Sequence, residues 1–210
     1  MNVERTIRTA LLAVVGATLG TSLTLAAEAR HGDVQPPHVP ANLGVEPGNE
    51  AFLVGHARGT QNYVCLPSGA GFGWSLFTPE ATLFDDDRHP IVEHYFGPNP
   101  SERGTIRATW RDSRDASTVW GRAVQSSTDP RFVETGAVPW LLVNVKDVGS
   151  RAGPTGGRRL ADTTFIQRVN THGGAAPGSG CRQLSDVGHR AFVPYTADYV
   201  FYEMVRRSGT

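Results

Sequence analysis

Thr105-Ile-Arg-Ala-Thr-Trp-Arg-Asp112 alternates without a slip. Ile106, Ala108 and Trp110 fall on one side of an extended chain, and Thr105, Arg107, Thr109 and Arg111 fall on the other. Successive side chains of a strand point to opposite faces, so this stretch reads as an antiparallel strand with one wet face. Working outward, Phe72, Trp74 and Leu76 share a face opposed by Gly73 and Ser75, while Val138 to Val145 is apolar on both faces and reads as a central strand. Ala51 to His56, Gln61 to Leu66, Ile91 to Phe96, Ser117 to Gln125, Thr163 to Val169 and Asp198 to Val205 complete a set of about nine, with Ala57-Arg58-Gly59 read as a break between two of them. The chain holds 24 Gly and 14 Pro, and no stretch keeps an apolar 3.6-residue period for three turns. The expected fold is all-β: one domain, mostly antiparallel, as a β-sandwich or β-barrel.

The N-terminus places that domain in its compartment. Arg5 and Arg8 precede an uncharged apolar run from Ala10 to Leu25, and Ala27-Glu28-Ala29 supplies a small-x-small cleavage site. The expected organisation is a signal peptide over 1–29, an extended, loosely held leader over 30–50, a β-rich domain over 51–205 and a tail over 206–210. The protein is thus expected to be secreted or extracytoplasmic. No later apolar run is long enough to span a bilayer, so no stable membrane anchor is expected after cleavage. The only cysteines, Cys65 and Cys181, would pair with each other in an oxidising compartment.

Twenty basic residues balance twenty acidic ones. That balance gives no basic surface for phosphates, so nucleic acid is not an expected partner. All but Lys146 of the basic residues are arginine, which reads as codon usage.

The chemistry-bearing motifs are mostly missing. The sequence holds no Gly-x-Ser-x-Gly elbow, no His-Glu-x-x-His, no phosphate loop and no dinucleotide fingerprint. Gly153-Pro-Thr-Gly-Gly157 is therefore a loop. No two histidines stand at i, i+2 or i, i+4, so neither metal nor cofactor is expected. Asp85-Asp-Asp87 reads as a charged turn. Asp112 and Asp115 read as a hairpin turn ion-paired with neighbouring Arg111 and Arg114, which would hold their pKa values low. His94 shares strand parity with Val92 and Phe96 and reads as a buried neutral histidine. His56, grouped on one face with Phe52 and Val54, stands beside the break after the first strand. Trp140 reads as core. Tyr63 and Trp110, each flanked by polar groups, are the rings expected to meet a ligand.

Several segments together are similar to a known family. Val39-Pro-Ala-Asn-Leu, Gly55-His-Ala-Arg-Gly-Thr-Gln-Asn-Tyr-Val-Cys65 and Gly71-Phe-Gly-Trp-Ser-Leu-Phe-Thr-Pro-Glu-Ala-Thr-Leu-Phe84 open the series. Thr109-Trp-Arg-Asp-Ser-Arg-Asp, Val138-Pro-Trp-Leu-Leu, Phe165-Ile-Gln-Arg-Val-Asn-Thr and Val193-Pro-Tyr-Thr-Ala-Asp-Tyr199 continue it. From Val39 to Tyr202 the chain resembles a family of secreted fungal and bacterial proteins catalogued as a domain of unknown function. The resemblance implies a secreted single domain and supports the Cys65–Cys181 pairing; it assigns no catalytic residue. The expected function is a non-catalytic binding or surface-interaction domain, with an aromatic-lined pocket at His56, Gln61, Tyr63, Trp110 and Asp112 for a carbohydrate or small flat ligand. The alternatives are an extracellular hydrolase or lyase using His56 or His94 with Asp112, and an envelope or matrix structural protein.

Overall fold

The alternating stretch forms one wall of a closed antiparallel barrel. A computed structural model describes residues 34–205, which fall within the compact unit His31–Thr210; the signal peptide over 1–29 and the tail over 206–210 lie outside the described residues. Eight strands follow one another around the barrel in chain order: β1 (Asn49–Ser68), β2 (Gly71–Phe84), β3 (Pro90–Asn99), β4 (Thr105–Asp112), β5 (Thr118–Ser127), β6 (Trp140–Arg151), β7 (Thr163–Gly173) and β8 (Arg190–Met204). The ring closes where β8 returns to β1, from Asn49 opposite Met204 to Val64 opposite Arg190. Closure removes the sheet edges that an open sheet would expose. It also settles the choice between sandwich and barrel.

Two of the expected strands are one. Ala57-Arg58-Gly59 does not break the chain but pairs on both sides, Arg58 lying opposite Thr82 of β2 and Thr196 of β8. Gly59 is needed there for space: a Cβ on it would lie 2.0 Å from the Glu80 carbonyl oxygen and 2.5 Å from the Ala81 Cα. The glycine marks a close approach of two backbones inside a strand, which such residues do as readily as they mark turns. Phe52 and Val54 also do not share a face. A register shift between Ala51 and Leu53 puts Phe52 in the barrel interior and leaves Val54 against the outside cluster.

The interior is filled by alternate residues of every strand, among them Leu83, Val92, Trp110, Val143, Ile166 and Phe201. Each large apolar side chain fully removed from water contributes about 1.5–3 kcal/mol. A second cluster lies outside the wall, where Trp140, Leu142, Phe165, Val169, Val200 and Tyr202 of β6, β7 and β8 meet Leu43 and Val133. This explains why β6 is apolar on both faces: one face looks into the barrel and the other lies beneath chain that crosses it. The described part of the leader, from Val34 on, is accordingly packed, not loose. Its Leu43 is fully buried, Val34, Val39 and Val45 pack on the same cluster, and Gln167 Nε2 donates to the Leu43 carbonyl at 2.6 Å.

The two ends of the barrel differ. At one end the β4–β5 turn meets the loop between β6 and β7. Arg159 N–H donates to Asp115 Oδ2, Leu160 N–H donates to Ser117 Oγ, and Leu160 is fully buried. The Gly153–Gly157 segment belongs to this plug; a Cβ on Gly153 would lie 1.7 Å from the Asp115 carbonyl oxygen. The opposite end carries the β1–β2, β3–β4, β5–β6 and β7–β8 connections. There Cys65 of β1 is joined to Cys181 of the β7–β8 loop. β2 and β3 pair only from Glu80 opposite Tyr95 to Phe84 opposite Pro90, so their far halves diverge at this open end.

Candidate functional site

A cavity of about 520 Å3 runs from the open end into the barrel. That volume falls within the range of small-molecule sites, and an eight-stranded barrel can either fill its interior or hold one small ligand. The deep wall is aromatic and polar: Gln61 and Tyr63 from β1, His94 from β3, Trp110 from β4, Arg168 from β7 and Tyr199 from β8. Nearer the mouth the lining includes Leu76, Phe96, Ile106, Arg107, Arg122 and Leu141.

Parity explains the convergence. Ala57, Gly59, Gln61 and Tyr63 are alternate residues on the interior face of β1, and Trp110 lies directly across from His94 between β4 and β3. The His94 and Trp110 rings stack at 4.3 Å and 9°, and the edge of Trp110 meets Tyr199 at 5.8 Å. His94 Nδ1 lies 2.9 Å from the Thr109 carbonyl oxygen. A carbonyl only accepts, so Nδ1 carries the proton and Nε2 is an acceptor. Burial pushes His94 down to about 3, against a weaker opposing effect of the Thr109 bond. Tyr63 is raised by burial, and its hydroxyl donates to the Gly174 carbonyl at 2.7 Å. Tyr195 and Tyr199 bring their hydroxyls to 3.3 Å, and burial drives Tyr195 far above the ordinary tyrosine range.

The neutral His94 predicts an acid limb in stability. Its folded pKa lies below the unfolded value of 6.5, so the unfolded chain binds more protons between about pH 3 and 6.5. The stabilisation is complete above pH 6.5 and is lost as pH falls, by about 1 kcal/mol per pH unit. Urea midpoints between pH 7 and 4.5 are expected to fall more steeply in the wild type than in His94→Gln. Equal slopes would show that His94 is not the group responsible.

The other expected site residues lie elsewhere. His56 has the opposite parity to Gln61 and Tyr63 and stands half-exposed on the outer face. Its Nε2 lies 2.9 Å from Asp86 Oδ1 and its Nδ1 lies 2.7 Å from Asp198 Oδ1. Hydrogen bonds to Asp86 and then to Asp198 raise its pKa. Asn170 Nδ2 donates to the second oxygen of Asp198. A shallow depression there is bordered by Arg58, Phe84, Asp85, Asp86 and Arg88. Asp112 lies at the plugged end with its side chain fully buried. Its Oδ1 accepts from the N–H groups of Arg114 and Asp115, and its Oδ2 lies 3.1 Å from Arg159 Nη1. The guanidinium that pairs with Asp112 is thus that of Arg159, from a distant loop, and not that of the adjacent Arg111 or Arg114; Arg111 instead faces Glu93 at 3.9 Å. No hydrogen bond or ion pair joins Asp112 to His56 or His94 among the described residues. Asp85 to Asp87 form a turn, in which Asp85 Oδ1 accepts from His89 N–H. No group of three metal-ligating side chains occurs among the described residues.

Arg168 is the cavity residue that motif reading misses. Its signal is parity: Ile166 faces the barrel interior, so the next residue of that face is Arg168, a charge on a strand buried on both sides.

A family model described as "Protein of unknown function (DUF3455)" matches residues 46–203. No curated protein and no solved structure matches the chain.

Proposed function

The chain belongs to the DUF3455 family, and from its geometry we propose that it is a non-catalytic small-molecule-binding barrel acting outside the cytoplasm. The observation that carries this reading is the cavity into which separate strands bring Gln61, Tyr63, His94, Trp110 and Tyr199. A mixture of rings and a few polar groups in a partly enclosed space suits a flat ligand. The buried Cys65–Cys181 bridge suits an oxidising compartment.

The reactive groups argue against turnover. A general base works best with a pKa near the operating pH, whereas His94 is held at about 3 and donates its only N–H to a carbonyl. His56 is clamped between two carboxylates. A hydrolase using either histidine would need Asp112 within reach, and Asp112 is committed to Arg159.

Thermal unfolding in a panel of flat aromatic and carbohydrate compounds tests the reading. A ligand present at about 100 times its Kd should add about 2.7 kcal/mol of stability. Ala108→Phe, which fills the cavity from β4, should abolish that gain. A panel in which no compound raises the unfolding temperature, or in which Ala108→Phe responds like the wild type, would overturn the proposal.

A further inference from the structure

The charge lining the cavity is one-sided. Arg168 points into it from the interior face of β7, Arg107 and Arg122 border it from outward-facing positions of β4 and β5, and no aspartate or glutamate lines it, although the chain as a whole is balanced at twenty of each sign. Arg107 is compensated, because Glu102 accepts two bonds from it at 2.7 and 2.8 Å. Arg122 stands exposed to solvent. Arg168 is different: it is only 9% exposed and forms no ion pair among the described residues. Its Nε and Nη2 both donate to a single acceptor, the Pro139 carbonyl, at 3.2 and 2.8 Å. Nη1 has no partner among the described residues.

An isolated buried charge is costly, and buried arginines are rarely left without a counter-charge. Two N–H groups nearby are sealed away without a partner. Trp110 Nε1 is buried and makes no hydrogen bond, and Gln61 Nε2, close to the Tyr195 hydroxyl, does not reach bonding geometry. The Arg168 guanidinium is thus a fixed positive charge with a free N–H edge, beside the single Nε2 acceptor of His94, in walls otherwise built from Leu76, Phe96, Ile106, Leu141 and aromatic rings.

We propose that the cavity binds an apolar organic anion, with the body of the ligand in the funnel and its carboxylate or similar group on the guanidinium of Arg168. This rests on the binding-barrel reading and adds the chemical class of the ligand. The planar fork of arginine suits a two-oxygen anion, and the barrel supplies the anion's missing partner without any acidic residue of its own. A neutral sugar would leave Arg168 as unpaired as before.

The test uses two fluorescent probes that share a body and differ in one group: 8-anilinonaphthalene-1-sulfonate and the uncharged N-phenyl-1-naphthylamine. A charge-assisted bond at a buried site is expected to make the wild-type protein bind the sulfonate about tenfold tighter or more. Arg168→Gln should remove the preference, the ratio of the two affinities falling to about one, with far-ultraviolet circular dichroism reporting that the variant is folded. Ala108→Phe should lose both probes, placing them in the cavity. Equal affinities in the wild type would overturn the anion proposal whether or not the variant folds, and so would a folded Arg168→Gln that keeps the preference. Failure of both probes to bind would instead overturn the binding-barrel reading beneath it.

Discussion

Replacing Cys65 and Cys181 together by alanine is expected to lower stability by about 4–5 kcal/mol, the loop-closure value for a crosslink enclosing on the order of 100 residues. The two cysteines stand 116 positions apart. The native contacts of the β7–β8 loop do not depend on the bridge alone. Gly188 N–H donates to the Cys65 carbonyl, Cys65 N–H donates to the His189 carbonyl, Trp74 Nε1 donates to the Ser179 carbonyl and Tyr63 Oη donates to the Gly174 carbonyl. The loss should therefore come through the unfolded chain, which gains freedom, with the folded loop keeping its position. Urea unfolding of the oxidised protein against the double variant measures it. A loss below about 1 kcal/mol would mean that the unfolded ensemble already keeps β1 near the β7–β8 loop without the crosslink.

Trp110→Ala is expected to cost about 3–5 kcal/mol, the range for deleting a large buried ring. Its indole is 1% exposed and touches His94, Tyr199 and the space beside Gly121, where a Cβ would stand 3.1 Å from the ring. Those neighbours sit on separate strands and cannot collapse inward without bending the barrel wall. Ile106→Ala is the matched control, since Ile106 shares the strand and its interior parity but stands 59% exposed at the mouth. It should change stability by less than about 0.5 kcal/mol. Denaturant midpoints of the two variants decide the matter, and comparable losses would show that Trp110 is not the packing centre the geometry makes it.

The alternation of Thr105–Asp112 and the absence of helical periodicity were enough to read the all-β fold, because both depend on local side-chain direction. Gln61, Tyr63 and Trp110 line one cavity, although composition and polar flanks, not parity, single out Tyr63 and Trp110 in the sequence. The position of His56 turns on one feature of β1. Reading Ala57-Arg58-Gly59 as a break freed His56 from the parity of Gln61; a continuous strand would have put the two on opposite faces at once. What made the strand continuous is the approach of the Glu80 carbonyl to Gly59, a fact about two strands that no local pattern contains. The long-range partner of Asp112 was hidden likewise, since Arg159 arrives from a loop beyond two intervening strands. The buried side of Val138–Val145 was read correctly as apolar, but its cover, the leader, is contributed from the far end of the chain. Arg168 is readable by parity alone, but a lone arginine belongs to no motif.

The joining of first strand to last has a consequence for how the chain acquires its shape. β1 leaves the ribosome long before Arg190–Met204, yet it is β8 that occupies its free side from Asn49 to Val64. Until then a twenty-residue strand offers an unpaired row of N–H and C=O groups to any other chain. The leader waits equally long, because Leu43 and Val39 rest on β6, β7 and β8. Folding of this kind is dominated by contacts distant in sequence, which places it among the slow, millisecond-to-second barrels and sandwiches. A chain truncated before β8 would expose this edge along its full length.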